Sequence, residues 1–224
     1  MLLDKDLWMR KWVWLPFAFW VGELRADYMK VDCLGKENAR RSIVYLHGWD
    51  APDLSAHEKQ NRLMWEKMAT DLDLRIALPR GDGRCNKGMK QCWRVRSRSE
   101  VKHSWQLILK GADKCSLKKP YGVVGFSNGG YLVSGLYHNC LANNDTAFLL
   151  ATGSAGLSSN PPIGKKYCGR FILQIGRKDI TKGRAEQYFA NLKRAKTPVE
   201  FKLFPGGHFL HRPSIEAVIR NHLP

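Results

Sequence analysis

Short apolar runs alternate along this chain with longer stretches in which apolar residues recur at helical spacing. The runs at 28–33, 42–46, 74–78, 121–125, 147–151, 171–175 and 199–204 predict strands. The stretches at 55–72, 99–113, 128–140, 181–194 and 213–222 predict helices. Strands that alternate with helices in this way imply an α/β class, with a mostly parallel central sheet covered by helices on both faces. Two irregular stretches remain. Residues 79–98 form one long connection, and 153–169 is rich in Gly, Ser and Pro. No repeat, linker or low-complexity tract interrupts the pattern, and 224 residues fit one domain with a sizeable core.

Candidate chemistry sits where predicted strands end. Gly125-Phe126-Ser127-Asn128-Gly129 reads Gly-x-Ser-x-Gly, between the run at 121–125 and the helix that follows. A strand, a sharp turn with a serine and then a helix is the context of a nucleophile elbow. Five residues with three fixed recur by chance, so the pattern needs partners. A serine hydroxyl is a poor nucleophile until a base takes its proton, and the base needs an acid to hold its tautomer. Asp179 follows the strand at 171–175, and His208 follows the strand at 199–204 through Pro205-Gly206-Gly207. In an open parallel sheet, ligands sit beyond the carboxyl ends of the strands. Asp179 also suits a helix N-cap, since Thr181 and Lys182 follow it. His211 is the nearest rival of His208, and the Gly206-Gly207 turn favours His208. His57, His103, His138 and His222 fall on predicted helices and read as structural or exposed. His47-Gly48-Trp49 follows the strand at 42–46, which makes the Trp49 and Asn128 backbone N–H groups the expected oxyanion donors. His47 is expected to hold that turn. Trp93 and Arg94 are cleft candidates, although core packing accounts for Trp93 equally well.

With these residues assembled, the chain resembles a compact serine hydrolase of the α/β-hydrolase fold, over a match from about Val31 to the C-terminus. The resemblance makes Ser127, Asp179 and His208 nucleophile, acid and base, and Leu46-His47-Gly48-Trp49 the oxyanion loop. The stretch Gly125-Phe126-Ser127-Asn128-Gly129-Gly130 is similar to the elbow of small carboxylesterases and of polyester or feruloyl esterases. It implies a serine carboxylic-ester hydrolase that works through an acyl-enzyme and needs no cofactor. Some peptidases of the fold carry similar elbows. They usually have an extra gating domain, for which this sequence has no room. A non-catalytic basic binding protein on a hydrolase scaffold is a further alternative. Many hydrolases of the fold insert a cap domain where 153–169 stands, and this stretch is too short for one. The uncapped site is expected to be an open cleft for bulky or polymeric substrates.

Charge and cysteines add context. The net charge is +17, and it falls by only one without residues 1–26, which hold four cations and three acids. Arg80, Arg84, Lys87, Lys90, Arg94, Arg96 and Arg98 cluster in one connection. One reading is steering of anionic substrates or docking on an anionic envelope surface, and the plainer one is a solvated basic face. No nucleic-acid recognition motif accompanies the charge. Residues 1–26 run basic, apolar and then polar, with Met9 a plausible start, and are expected to be a signal peptide ahead of a hydrolase domain at 27–224. The expected location is therefore periplasmic or secreted, with an amphipathic N-terminal element packed on the domain as the alternative. Six cysteines, all beyond residue 26, permit a full disulfide set. Cys85 and Cys92 share one loop on the catalytic side. Cys33, Cys115, Cys140 and Cys168 are expected near the opposite strand ends, where Cys140 can pair with Cys168. No Cys-x-x-Cys or His-Glu-x-x-His spacing occurs, so no metal site is expected.

Overall fold

A computed structural model describes residues 29–49, 55–81, 91–142, 144–154, 156 and 168–223. The expected signal peptide lies outside them. So do Arg84, Cys85, Lys87 and Lys90, and most of 153–169.

The seven apolar runs all form strands: β1 Val31–Leu34, β2 Arg41–Leu46, β3 Leu74–Pro79, β4 Tyr121–Phe126, β5 Thr146–Thr152, β6 Phe171–Gly176 and β7 Glu200–Phe204. The helices are α1 Ala56–Asp71, α2 Arg98–Ala112, α3 Asn128–His138, α4 Lys182–Arg194 and α5 Arg212–His222. A short 3-10 turn, Asp113–Cys115, extends α2 where the sequence predicts helix only to residue 113. The strands join in one sheet of order β1-β3-β2-β4-β5-β6-β7. Among the described residues, only the edge pair β1–β3 is antiparallel, and each of the other five pairs is parallel.

Two cores explain why helices cover both faces. Alternate side chains of a strand point to opposite sides. On β4, Val123 joins one apolar cluster and Val124 the other. The first cluster takes Val101, Trp105 and Ile108 of α2, Leu132 and Leu136 of α3, and Tyr188 and Leu192 of α4. The second takes Trp65 and Met68 of α1 and Ile215, Val218 and Ile219 of α5. Strands buried on both faces read as continuous apolar runs, as β3, β4 and β6 do.

Among the described residues, two disulfides tie elements together. Cys140–Cys168 joins the residues after α3 to those before β6, at the sheet end opposite the elbow. Cys33–Cys115 joins β1 to the turn after α2. Cys33 lies opposite Ala77 of β3, and the Cys115 carbonyl accepts from Arg75 Nε near the start of that strand at 2.8 Å, so this bridge sits on the sheet margin toward the strand ends opposite the elbow. Cys92 is also disulfide-bonded. Among the described residues, no helix is long and apolar enough to cross a membrane.

Candidate active site

Ser127 sits between β4 and α3 with φ 52° and ψ −113°. Positive φ is uncommon for a residue with a Cβ and persists only where surroundings impose it. Its N–H donates to the Thr152 carbonyl at 3.0 Å, and its carbonyl accepts from Tyr131 N–H at 3.1 Å. The flanking glycines let the backbones close around it. A Cβ on Gly125 would overlap the Gly129 carbonyl, and one on Gly129 would overlap the Leu46 carbonyl.

His208 reaches the serine from the loop after β7. Its Nε2 lies 3.1 Å from Ser127 Oγ, and its Nδ1 lies 2.9 Å from Asp179 Oδ2. Asp179 follows β6, and its side chain is fully buried. Oδ1 accepts from the Thr181 N–H and from the Thr181 hydroxyl, each at 2.8 Å. The two positional readings of Asp179 thus fall on separate oxygens: one ties down the turn before α4, and the other faces the imidazole. With Asp179 accepting at Nδ1, that nitrogen carries the ring proton and Nε2 is left to accept from the hydroxyl. His211 is engaged elsewhere, 2.6 Å from Ser214 Oγ and stacked on Phe204.

The turn after β2 packs directly on this group. A Cβ on Gly48 would stand 3.2 Å from Ser127 Cβ. His47 is buried, with Nδ1 2.5 Å from the Gly48 carbonyl, and its Nε2 accepts from Gly81 N–H at 3.0 Å. Asn128, the first residue of α3, is also buried, and its Oδ1 accepts from Trp93 N–H at 2.6 Å. The Trp93 indole N–H donates to the His47 carbonyl at 2.8 Å. Trp93 is only 1 % exposed, which corrects its placement on the cleft wall. It braces the turn and the elbow from behind. Arg94 is exposed and is not among the described residues lining the cavity beside Ser127.

That cavity holds about 230 Å³ and lies between Ser127, His208 and the start of α1. Trp49, 56 % exposed, forms part of its wall. Phe126 lies between His57, stacked on it with ring centroids 5.4 Å apart, and His208, tilted to it at 5.1 Å. Glu58 and Asn61 complete the polar side. The Tyr45 hydroxyl and Asn61 Nδ2 both donate to Glu58 Oε2, at 3.1 Å and 3.0 Å. Burial, and then the Glu58 carboxylate, hold the Tyr45 phenol well above its ordinary pKa, so it stays a donor.

No protein-family model and no curated protein sequence matches the chain. Solved structures do match. A carboxylesterase from Mesorhizobium loti is 18 % identical with a TM-score of 0.61, over 81 % of this chain and 88 % of that one. The Bacillus cereus carboxylesterase is 14 % identical with a TM-score of 0.62, over 88 % and 94 %. The fluorophosphonate-binding serine hydrolase F of Staphylococcus aureus is 15 % identical with a TM-score of 0.59, over 88 % and 92 %. The chain has the α/β-hydrolase fold.

On this α/β-hydrolase scaffold, β2, β4, β6 and β7 each deliver one part of the group from a C-terminal end. Several contributors escape a reading of the sequence. Thr181 carries a signal, because Asp-x-Thr after a strand suits a side-chain-to-backbone turn. Glu58 and Asn61 carry none, since only the folding of α1 against the sheet brings them near the serine; Phe126 adjoins Ser127 in the chain, but the sequence does not show that its ring lies between His57 and His208. Among the described residues, no group of His, Cys, Asp and Glu could hold a metal ion.

Proposed function

We propose that this chain is a serine hydrolase of carboxylic esters, with Ser127 as nucleophile, His208 as base and Asp179 as the acid that orients it. The continuous hydrogen-bonded relay from Asp179 through His208 to Ser127 carries this reading. Carboxylesterases among the structures with this fold support it. In the first half-reaction His208 Nε2 takes the hydroxyl proton as Oγ bonds to the ester carbonyl carbon. The carbonyl oxygen becomes an oxyanion that accepts from the Asn128 and Trp49 N–H groups. His208 then gives the proton to the leaving alcohol as the C–O bond breaks, and an acyl-serine remains. Water, deprotonated by His208, attacks the acyl carbon; His208 then returns the proton to Ser127 Oγ as the acyl C–Oγ bond breaks, which releases the acid and restores the free serine. Asp179 holds the imidazolium throughout without taking its proton. Losing one oxyanion donor would cost about 3 kcal/mol of transition-state stabilisation.

The test is a fluorophosphonate probe followed by peptide mapping, with turnover of an aryl acetate and a chromogenic peptide compared. Label on Ser127, loss of label and ester turnover in Ser127→Ala, and little peptide cleavage are expected. A folded Ser127→Ala protein with undiminished ester turnover would refute the assignment.

We extend the proposal to export, with residues 1–26 as leader and 27–224 as the hydrolase domain. The two bridges support it, because disulfides persist in oxidising compartments. Mass spectrometry of the N-terminus recovered outside the cytoplasm tests it, and an intact Met1 on that material would count against cleavage.

A further inference from the structure

Exposed large apolar side chains are not spread evenly over this molecule. Among the described residues they are Trp49, Leu63, Ile180 and Phe209. Trp49, Ile180 and Phe209 stand in the turns after β2, β6 and β7, at the sheet end that carries Ser127. Singly scattered apolar residues are ordinary on a protein surface, so the information lies in their gathering at one end. Ile180 is 92 % exposed, and local bonding keeps it there. Asp179 Oδ1 accepts from the Thr181 N–H and hydroxyl, so Ile180 sits at the apex of a closed turn beside the buried acid. The β6 and β7 turns form one surface. Arg177 N–H donates to the Phe204 carbonyl at 2.9 Å, and Lys178 N–H donates to the Gly206 carbonyl at 2.8 Å. A Cβ on Gly206 would overlap the Phe209 ring. Arg177 and Lys178 are exposed, and neither forms an ion pair among the described residues. The described acids nearby are engaged: Asp179 faces His208, and Glu186 pairs with Lys182 at 3.0 Å.

Apolar tips interspersed with cations are complementary to a surface that is anionic outside and apolar just beneath. A protein partner would favour an apolar centre depleted of charge. A soluble polyanion would satisfy the cations and leave Ile180 and Phe209 in water. A lipid surface takes both, since apolar side chains enter the boundary between head groups and acyl chains while Lys and Arg meet lipid phosphates. An isoleucine, stiff at χ1 and held on a closed turn, loses little freedom on entering. We propose that this corner of the molecule docks on anionic lipid surfaces through Ile180, Phe209, Arg177 and Lys178. The net charge alone chooses no face, whereas these turns choose the one beside the triad. Docking rests on this surface alone. Its consequence, that esters carried in the lipid surface reach Ser127, rests on the hydrolase reading.

The experiment sediments full-length Ser127→Ala protein with vesicles of equal parts phosphatidylglycerol and phosphatidylcholine, and with phosphatidylcholine alone. Further variants are made in that background, so every chain compared shares residues 1–26. Partition onto the anionic vesicles should be stronger by about fiftyfold or more, and should weaken as salt is added. Arg177→Gln/Lys178→Gln should lower it about twentyfold. Ile180→Ser, at a position that packs on almost nothing, should lower it about tenfold. Lys193→Gln/Lys196→Gln removes two exposed cations beside Arg170, at the opposite sheet end, and should cost less than about threefold. Equal partition onto both vesicles overturns the proposal, and so does an equal loss from the two charge variants. Ile180→Ser that partitions like its parent, while Arg177→Gln/Lys178→Gln loses vesicles and dextran sulfate alike, makes the partner a soluble polyanion and overturns the lipid surface. With Ser127 restored, Ile180→Ser should slow hydrolysis of a long-chain ester held in anionic vesicles about tenfold and leave a soluble aryl acetate unchanged. Equal slowing of both esters overturns the delivery of lipid-borne esters. Docking that behaves as expected in a protein whose Ser127 a fluorophosphonate leaves unlabelled sinks the hydrolase reading and leaves the docking standing.

Discussion

At the scale of single residues, the division of labour on Asp179 gives a sharp expectation. Asp179→Asn keeps an acceptor for Thr181 but can no longer hold His208 in the tautomer that leaves Nε2 free. Ester turnover should fall by about four orders of magnitude with little change in KM. Steady-state kinetics on the folded variant checks this. Thr181→Val removes one donor to Oδ1 and leaves the backbone donor in place. It should cost far less, so the two variants together separate tautomer control from positioning. The serine, aspartate and histidine were legible because each follows an apolar run and a turn. Of the two readings open for Trp93, cleft wall or core packing, the structure takes core packing. A tryptophan in a polar connection fits either place by sequence, and only the fold shows that its indole N–H is consumed by the buried His47 carbonyl.

Among the elements, α1 and the turn before it matter most. Ser55 caps α1 by accepting from Glu58 N–H at 3.2 Å. Ser55→Ala should cost about 1 kcal/mol, read as a shift in urea midpoint. Because the first turn of α1 carries His57 and Glu58 into the cavity, KM should rise for esters that use that wall. Trp93→Phe should act through the oxyanion turn. It leaves the His47 carbonyl without its indole donor, a penalty of about 1 to 3 kcal/mol. Thermal denaturation should show the loss, and kcat should fall with it because the braced turn loosens beside Ser127. Strands and helices were readable to within a residue or two wherever burial on both faces wrote an apolar run. The direction of β1 was not readable, since a short edge strand has the same composition whichever way it pairs. The 3-10 turn after α2 was hidden for a similar reason, as it continues the helical run.

For the whole molecule, stability should depend on redox state and on pH. Cys33–Cys115 spans 82 residues and Cys140–Cys168 spans 28. By chain entropy these closures stabilise by about 4.5 and 3.6 kcal/mol. Reduction should therefore lower the melting temperature steeply, as calorimetry with and without reductant would show. The acid side has two sources. Burial lowers the pKa of His138, and burial followed by the Arg170 charge lowers that of His222. The unfolded chain takes up these protons first as pH falls through the ordinary imidazole range, so stability is full above that range and declines below it. Asp32 behaves as a carboxylate held low. Burial raises its pKa, but bonds from Arg62 and Arg80 together outweigh that. The stability it adds is present above the ordinary carboxylate range and is lost as pH falls through its lowered value. Urea midpoints should thus drop from pH 7 to pH 5 in wild type, and the drop should shrink in His138→Gln/His222→Gln. Asp32→Asn should weaken the protein at pH 7 and match wild type once Asp32 itself is protonated.

The Cys140–Cys168 bridge lies at the far side of the sheet from Ser127, where α3 ends and β6 begins. A resin, fusion partner or fluorescent label anchored there would grip the molecule behind its working edge, leaving the approach to the serine unobstructed.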